Sequence, residues 1–175
     1  MKRLCDVVHA ALGRALVVLL AVMALTVAWQ VSSRLLARLC LAMDWPVFIQ
    51  PSRWTEELAG FQLSWVALLG AAWVLREGAH PGLDLLYRQL GPGLIRSFSG
   101  LVLGAALIAL FSVVVLVYGG LRLVFMTQEL GQRTAALDWP MAGVYSVVPV
   151  AGALLALFAL ESFLRALEAP AEGQP

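Results

Sequence analysis

Charge is scarce in this chain: Asp, Glu, Lys and Arg together make up 13% of its 175 residues. Four long stretches contain none of them: Ala15 to Val31, Leu58 to Leu75, Ser97 to Leu121 and Met141 to Leu160. The interiors of these stretches therefore hold no ionisable group of the kind that marks an intramembrane proton relay, ion path or catalytic centre. Histidine is equally rare. His9 and His80 lie outside the four stretches, which argues against a haem held by helix-borne ligands. The two cysteines, Cys5 and Cys40, are far apart and fall at opposite ends of the first apolar run, so neither a disulfide framework nor a metal knuckle follows from them. Cys-x-x-Cys, His-Glu-x-x-His, Gly-x-Ser-x-Gly and a phosphate-cradling glycine loop are all missing. No catalytic residue, cofactor-binding residue or metal ligand is expected, and the chain reads as a non-enzyme. A net charge of +1 gives no broad pull toward nucleic acid.

What is abundant is apolar surface. Hydrophobic residues make up 61% of the chain and the mean hydropathy is +0.86, whereas soluble domains run near ~45–50% apolar. A helix needs about 20 apolar residues to cross some 30 Å of hydrocarbon, and each of the four stretches is long enough. Strands of a membrane barrel would be short and would alternate polar with apolar positions, a pattern missing here. The expected fold is an all-α membrane protein with four transmembrane helices. The spans fall at about 15–36, 57–76, 97–122 and 141–164 of a single domain over residues 1–168, followed by a short tail, 169–175. The first run is too long for a secretory signal peptide, and three more spans follow it, so it is expected to stay as an uncleaved helix.

Lys and Arg set the expected orientation. The N-terminal tail (Lys2, Arg3, Arg14), the middle loop (Arg76, Arg88, Arg96) and the C-terminal tail (Arg165) hold seven, against five in the first and third loops (Arg34, Arg38, Arg53; Arg122, Arg133). The excess places both termini in the cytoplasm.

Several local features bear on packing. Helix 1 has no breaker between Gln30 and Arg38, and Arg34 and Arg38 stand one turn apart, able to reach one interface together. Trp45 and Trp54 suit the headgroup zone. Thr55 or Ser52 is a candidate cap for helix 2, with Glu56 and Glu57 in its first turn. The middle loop carries Gly82-Leu83-Asp84-Leu85-Leu86-Tyr87-Arg88-Gln89-Leu90, a mixture that predicts a short amphipathic interfacial helix. Gly100 and Gly104 in helix 3, and Gly152 with Ala156 in helix 4, have the spacing that lets helices approach closely, and Pro149 predicts a kink.

The charges that remain are interfacial. Glu56 and Glu57 are either a solvated helix start or partners of Arg34, Arg38 or Arg53 across the first loop. Arg76 reads as a positive-inside anchor, and Glu161 with Arg165 as a helix-end ion pair at i, i+4.

The order Gln30-Val31, Arg34, Trp54-Thr55-Glu56-Glu57, Gly70, Gly78 with His80, and Asp84, followed by Leu137, Pro140, Tyr145 and Pro149-Val150-Ala151-Gly152, resembles the small membrane subunit (DctQ-like) of tripartite ATP-independent periplasmic (TRAP) transporters. The chain departs from that pattern in a longer first loop around Asp44-Trp45-Pro46 and in Pro81-Gly82-Leu83 after His80. The resemblance implies a non-catalytic subunit that scaffolds a large multi-spanning transport subunit in the bacterial inner membrane. The partners it implies are that large subunit, a periplasmic solute-binding protein and membrane lipid. Uptake would be sodium-coupled symport of an organic acid, driven by an ion gradient. Arg34, Trp54, Glu56, Glu57, Gly70, His80, Asp84 and Pro140 are the positions expected to dock the subunit or orient its helices, with Gly100, Gly104 and Gly152 packing helix on helix. The alternatives are a membrane anchor for a respiratory or other enzyme complex, which would need a haem or quinone site, and a self-sufficient channel.

Overall fold

A computed structural model of the chain describes residues 2–44, 53–77 and 104–168. Among these, four helices are long and apolar enough to cross a membrane. Helix α1 is Lys2–Ala42, α2 is Arg53–Arg76 and α3 is Gly104–Glu129, with a π-helical stretch over Ser112–Gly119. A short helix α4, Met141–Tyr145, leads at Ser146 into α5, Val147–Glu168. The fold is all-α, as the four uncharged runs imply. The expected interfacial helix, and with it His80, Asp84 and Gly100, lies outside the described residues, as do Trp45, Pro46 and the tail.

Helix α1 has 41 residues, about 62 Å at 1.5 Å per residue, twice the hydrocarbon thickness. It extends past the uncharged run at both ends because Cys5 to Arg14 and Ser32 to Ala42 contain neither Pro nor consecutive glycines to stop it. Helix α2, at 24 residues, matches one crossing.

The helices stand in a row, α1 beside α2, α2 beside α5, and α5 beside α3. Of α3, the part from Ser112 to Glu129 makes no substantial contact with α1 or α2, while Ile108 and Ala109 nearer its start pack against the shared core. Burial follows the order. The core draws Leu12 and Leu16 from α1, Leu69, Ala72 and Leu75 from α2, and Ala151, Leu155 and Phe158 from α5. The outer helices show apolar side chains to their surroundings, among them Val17, Leu25, Leu110 and Tyr118. In water this would be a large liability; in lipid the same surface is solvated by acyl chains.

Small residues set the close approaches. A Cβ on Gly152 would come within 2.5 Å of Leu116 Cβ, and one on Gly120 within 2.9 Å of Pro149 Cδ, so α3 and α5 meet nearly backbone to backbone. The α3 side of this contact is the π-helical stretch and the turn after it. Gly70 meets nothing within 4 Å at the place of a Cβ, so it makes no comparable approach. Pro149 has no N–H to offer the carbonyl four residues back, and the helix is interrupted at Ser146 just before it.

The described chain starts and ends at one end of the row. That end holds Asp6, Arg76 and Glu161; the opposite end holds Arg34, Glu56, Glu57 and the α3–α4 connection.

Candidate functional site

Polar chemistry collects at the two ends, and each end uses it differently. At the hairpin end, α3 stops at Gly131, whose φ of +59° suits glycine. The N–H of Gly131 donates to Gln128 O at 3.0 Å and that of Gln132 to Thr127 O at 3.2 Å, which reverses the chain. The connection then closes on itself. Arg133 pairs with Pro140 as an antiparallel bridge, Thr134 N–H donates to Trp139 O at 2.9 Å, and Trp139 N–H donates to Thr134 Oγ1 at 3.0 Å. Arg133 reaches over the tip to Asp138, donating to its backbone oxygen at 2.9 Å and its carboxylate at 3.1 Å.

These bonds leave three successive tip amides facing α2, and Glu57 takes all of them. Ala135 N–H donates to Oε1, and the Ala136 and Leu137 N–H groups donate to Oε2, each at 2.9 Å. A carboxylate set against a run of backbone N–H groups has its charge stabilised without any basic side chain, because the amide dipoles converge on it. Arg34 pairs instead with Glu56, and both side chains are about half exposed. The neighbouring carboxylates thus divide the work: Glu56 ties α1 to α2, and Glu57 ties α2 to the α3–α4 hairpin. Thr55, a candidate cap, is fully buried inside the helix that begins at Arg53. Trp54 is 45% exposed at the same level, and Pro140 stands in extended conformation just before α4.

The opposite end corrects two expectations. Arg76 is not a simple anchor: its side chain is 11% exposed, it donates from Nε to Glu161 Oε2 at 3.1 Å, and its Nη2 pairs with Asp6. Glu161, at 5% side-chain exposure, thus accepts from α2, a partner 85 residues away; its expected pairing with Arg165 falls on a side chain outside those described. The guanidinium also sits 5.6 Å over the Phe158 ring. His9 is inside α1, not outside the helices. It stacks on Trp73 with centroids 5.2 Å apart and meets the Phe158 ring edge-on at 6.1 Å. Its Nε2 lies 3.2 Å from Glu77 Oε1 without the alignment of a hydrogen bond. Gly13 admits Trp73 against α1, since a Cβ there would stand 3.0 Å from the indole nitrogen. One cation, three carboxylates and a histidine therefore join α1, α2 and α5 at one end, an arrangement suited to holding helices together. Among the described residues, no three His, Cys, Asp or Glu side chains are grouped to hold a metal ion.

Sequence reasoning located Arg34, Trp54, Glu56, Glu57 and Pro140, and the structure brings them to one end. Gly104 and Gly152 are helical, the latter at the close contact described above. Asp6, His9 and Gln62 were missed. A lone Asp or His near a chain terminus looks solvated until the helix carrying it is known to pack there, and a single Gln inside an apolar run carries no periodic signal.

Comparison with known proteins agrees with this architecture. The family described as "Tripartite ATP-independent periplasmic transporters, DctQ component" matches residues 23–169. A curated protein of Rhodobacter capsulatus, "C4-dicarboxylate TRAP transporter small permease protein DctQ", is 32% identical over 102 residues, 58% of this chain and 44% of that protein. The match therefore spans less than half of the relative's length. With the family pattern covering most of its length and four apolar helices to carry it, this chain belongs to the DctQ component family of the TRAP transporters.

Proposed function

We propose that the chain scaffolds a large transport subunit in a bacterial inner membrane, during ion-gradient-driven uptake of an organic acid delivered by a periplasmic binding protein. The family match over residues 23–169 carries this reading. The exposed apolar side chains in the uncharged runs of α1 and α3, among them Val17, Leu25, Leu110 and Tyr118, support it, because they suit contact with another membrane-embedded chain as well as lipid. The relative's printed name supports a dicarboxylate as the substrate class, with sodium as the coupling ion expected from the resemblance.

In this reading the chain performs no catalysis. Its termini face the cytoplasm and the Glu57-clamped hairpin faces the periplasm. Arg34, Trp54, Glu56, Glu57 and Pro140 shape that outer end, with Gly70, His80 and Asp84 as further docking or orienting positions. The experiment is co-expression with the large-subunit gene encoded beside this one, followed by purification in mild detergent through a tag on this chain alone. A stable complex of the two is expected; clean separation overturns the reading.

A further inference from the structure

One face of the row carries a cleft of about 560 Å³ near the hairpin end. Leu58, Phe61, Gln62 and Trp65 of α2 form one wall; Trp139, Pro140, Gly143 and Val144 form the other, and Leu19 of α1 closes it. A bond ties the two walls together, since Trp65 Nε1 donates to Val144 O at 3.2 Å. Gly143 has nothing within 4 Å of where a Cβ would stand, which leaves the α4 wall recessed.

Gln62 is out of place in this lining. It is 7% exposed, and among the described residues its Oε1 accepts no hydrogen bond. A buried amide oxygen without a partner is costly, and more so in hydrocarbon, where water does not substitute. The terminal amide turns easily about its last torsion, so either its oxygen or its NH2 can be offered to the cleft.

Depth decides what satisfies it. Trp54, partly exposed, marks the interfacial end of α2, and Gln62 lies eight residues further along the helix (62 − 54), about 12 Å at 1.5 Å per residue. At that depth the surroundings are acyl chains, which neither donate nor accept hydrogen bonds. A neighbouring transmembrane helix does both, and polar side chains of this kind join helices inside membranes.

We infer that this cleft receives a transmembrane helix of the large transport subunit, with an apolar side chain filling the pocket and a hydrogen-bonding side chain meeting Gln62. The inference rests on the proposed scaffold role and assigns that role a surface. The Gln62 amide oxygen becomes satisfied only in the assembly.

The test uses the co-purified complex of the two subunits. Benzoylphenylalanine replacing Phe61 is expected, on irradiation, to give a product with the combined mass of both subunits. Q62L is expected to weaken co-purification about three- to tenfold, the range of one lost interhelical hydrogen bond, while leaving the thermal stability of the isolated small subunit unchanged or raised. If the complex forms but position 61 cross-links only to lipid or to a second copy of this chain, the inference fails and the scaffold role stands. The inference also fails if Q62L leaves the complex as strong as before. If no complex forms, both fail together.

Discussion

The two ends of the row hold their helices by different physics. At the terminal end, Arg76 is buried with Glu161 and reaches Asp6 across three helices. At the hairpin end, the ion pair between Arg34 and Glu56 is half exposed, and the second carboxylate, Glu57, is held by three backbone amides instead of a cation. A desolvated pair leaves a stranded charge when one partner is removed, whereas an exposed pair returns both groups to water. A carboxylate held by main-chain N–H groups depends on the path of the backbone rather than on any one partner side chain. The same few charged residues thus give a brittle lock at one end and a geometrical one at the other.

Substitutions at three places bear on that contrast, and the largest effect belongs to the terminal end. R76A is expected to destabilise the chain by about 3–5 kcal/mol, because it removes the guanidinium bonded to the buried Glu161 carboxylate; thermal unfolding in detergent measures this. The double variant R76L/E161L is expected to recover most of the loss, since the buried carboxylate goes with the cation and Asp6, 65% exposed, keeps its contact with water. If the double variant is worse than R76A, the lock is not a charge lock. Next in size is E57Q. The amide keeps one acceptor oxygen and turns an NH2 toward N–H groups, so the clamp is expected to weaken, read as faster hydrogen exchange across 134–140. An unchanged exchange rate there would remove Glu57 from its clamp. Smallest is the exposed pair: R34A or E56A is expected to cost no more than about 1 kcal/mol, and the reversal R34E/E56R to restore what either single reversal loses. A loss at R34A equal to that at R76A would erase the difference between the ends.

The spans were legible in the sequence because lipid demands uncharged runs of fixed length and nothing else in the chain imitates them. The Glu56-Glu57 dipeptide was legible as a site for the complementary reason, since charge beside such a run stands out. Its partners were not. Glu57 binds amides 78 to 80 residues away, and backbone N–H groups leave no mark on side-chain composition. Arg76 was misread for a related reason: its partners are 70 and 85 residues distant, while local spacing offers only Glu161 with Arg165. The length of α1 exceeded expectation because hydropathy ends at Arg34 on one side and at Arg14 on the other, yet helix propensity does not.

The Glu57 clamp also governs what the α3–α4 connection tolerates as it changes. Surface connections are ordinarily where homologous chains gain and lose residues. This one is read at three consecutive amides, so one residue added or deleted between Thr134 and Asp138 slides at least one N–H off the carboxylate. The hairpin is therefore a fixed-length spacer. Epitopes, linkers and reporter fusions meant to leave the subunit intact belong elsewhere, and natural variation in this segment is expected as exchange of side chains rather than change of length.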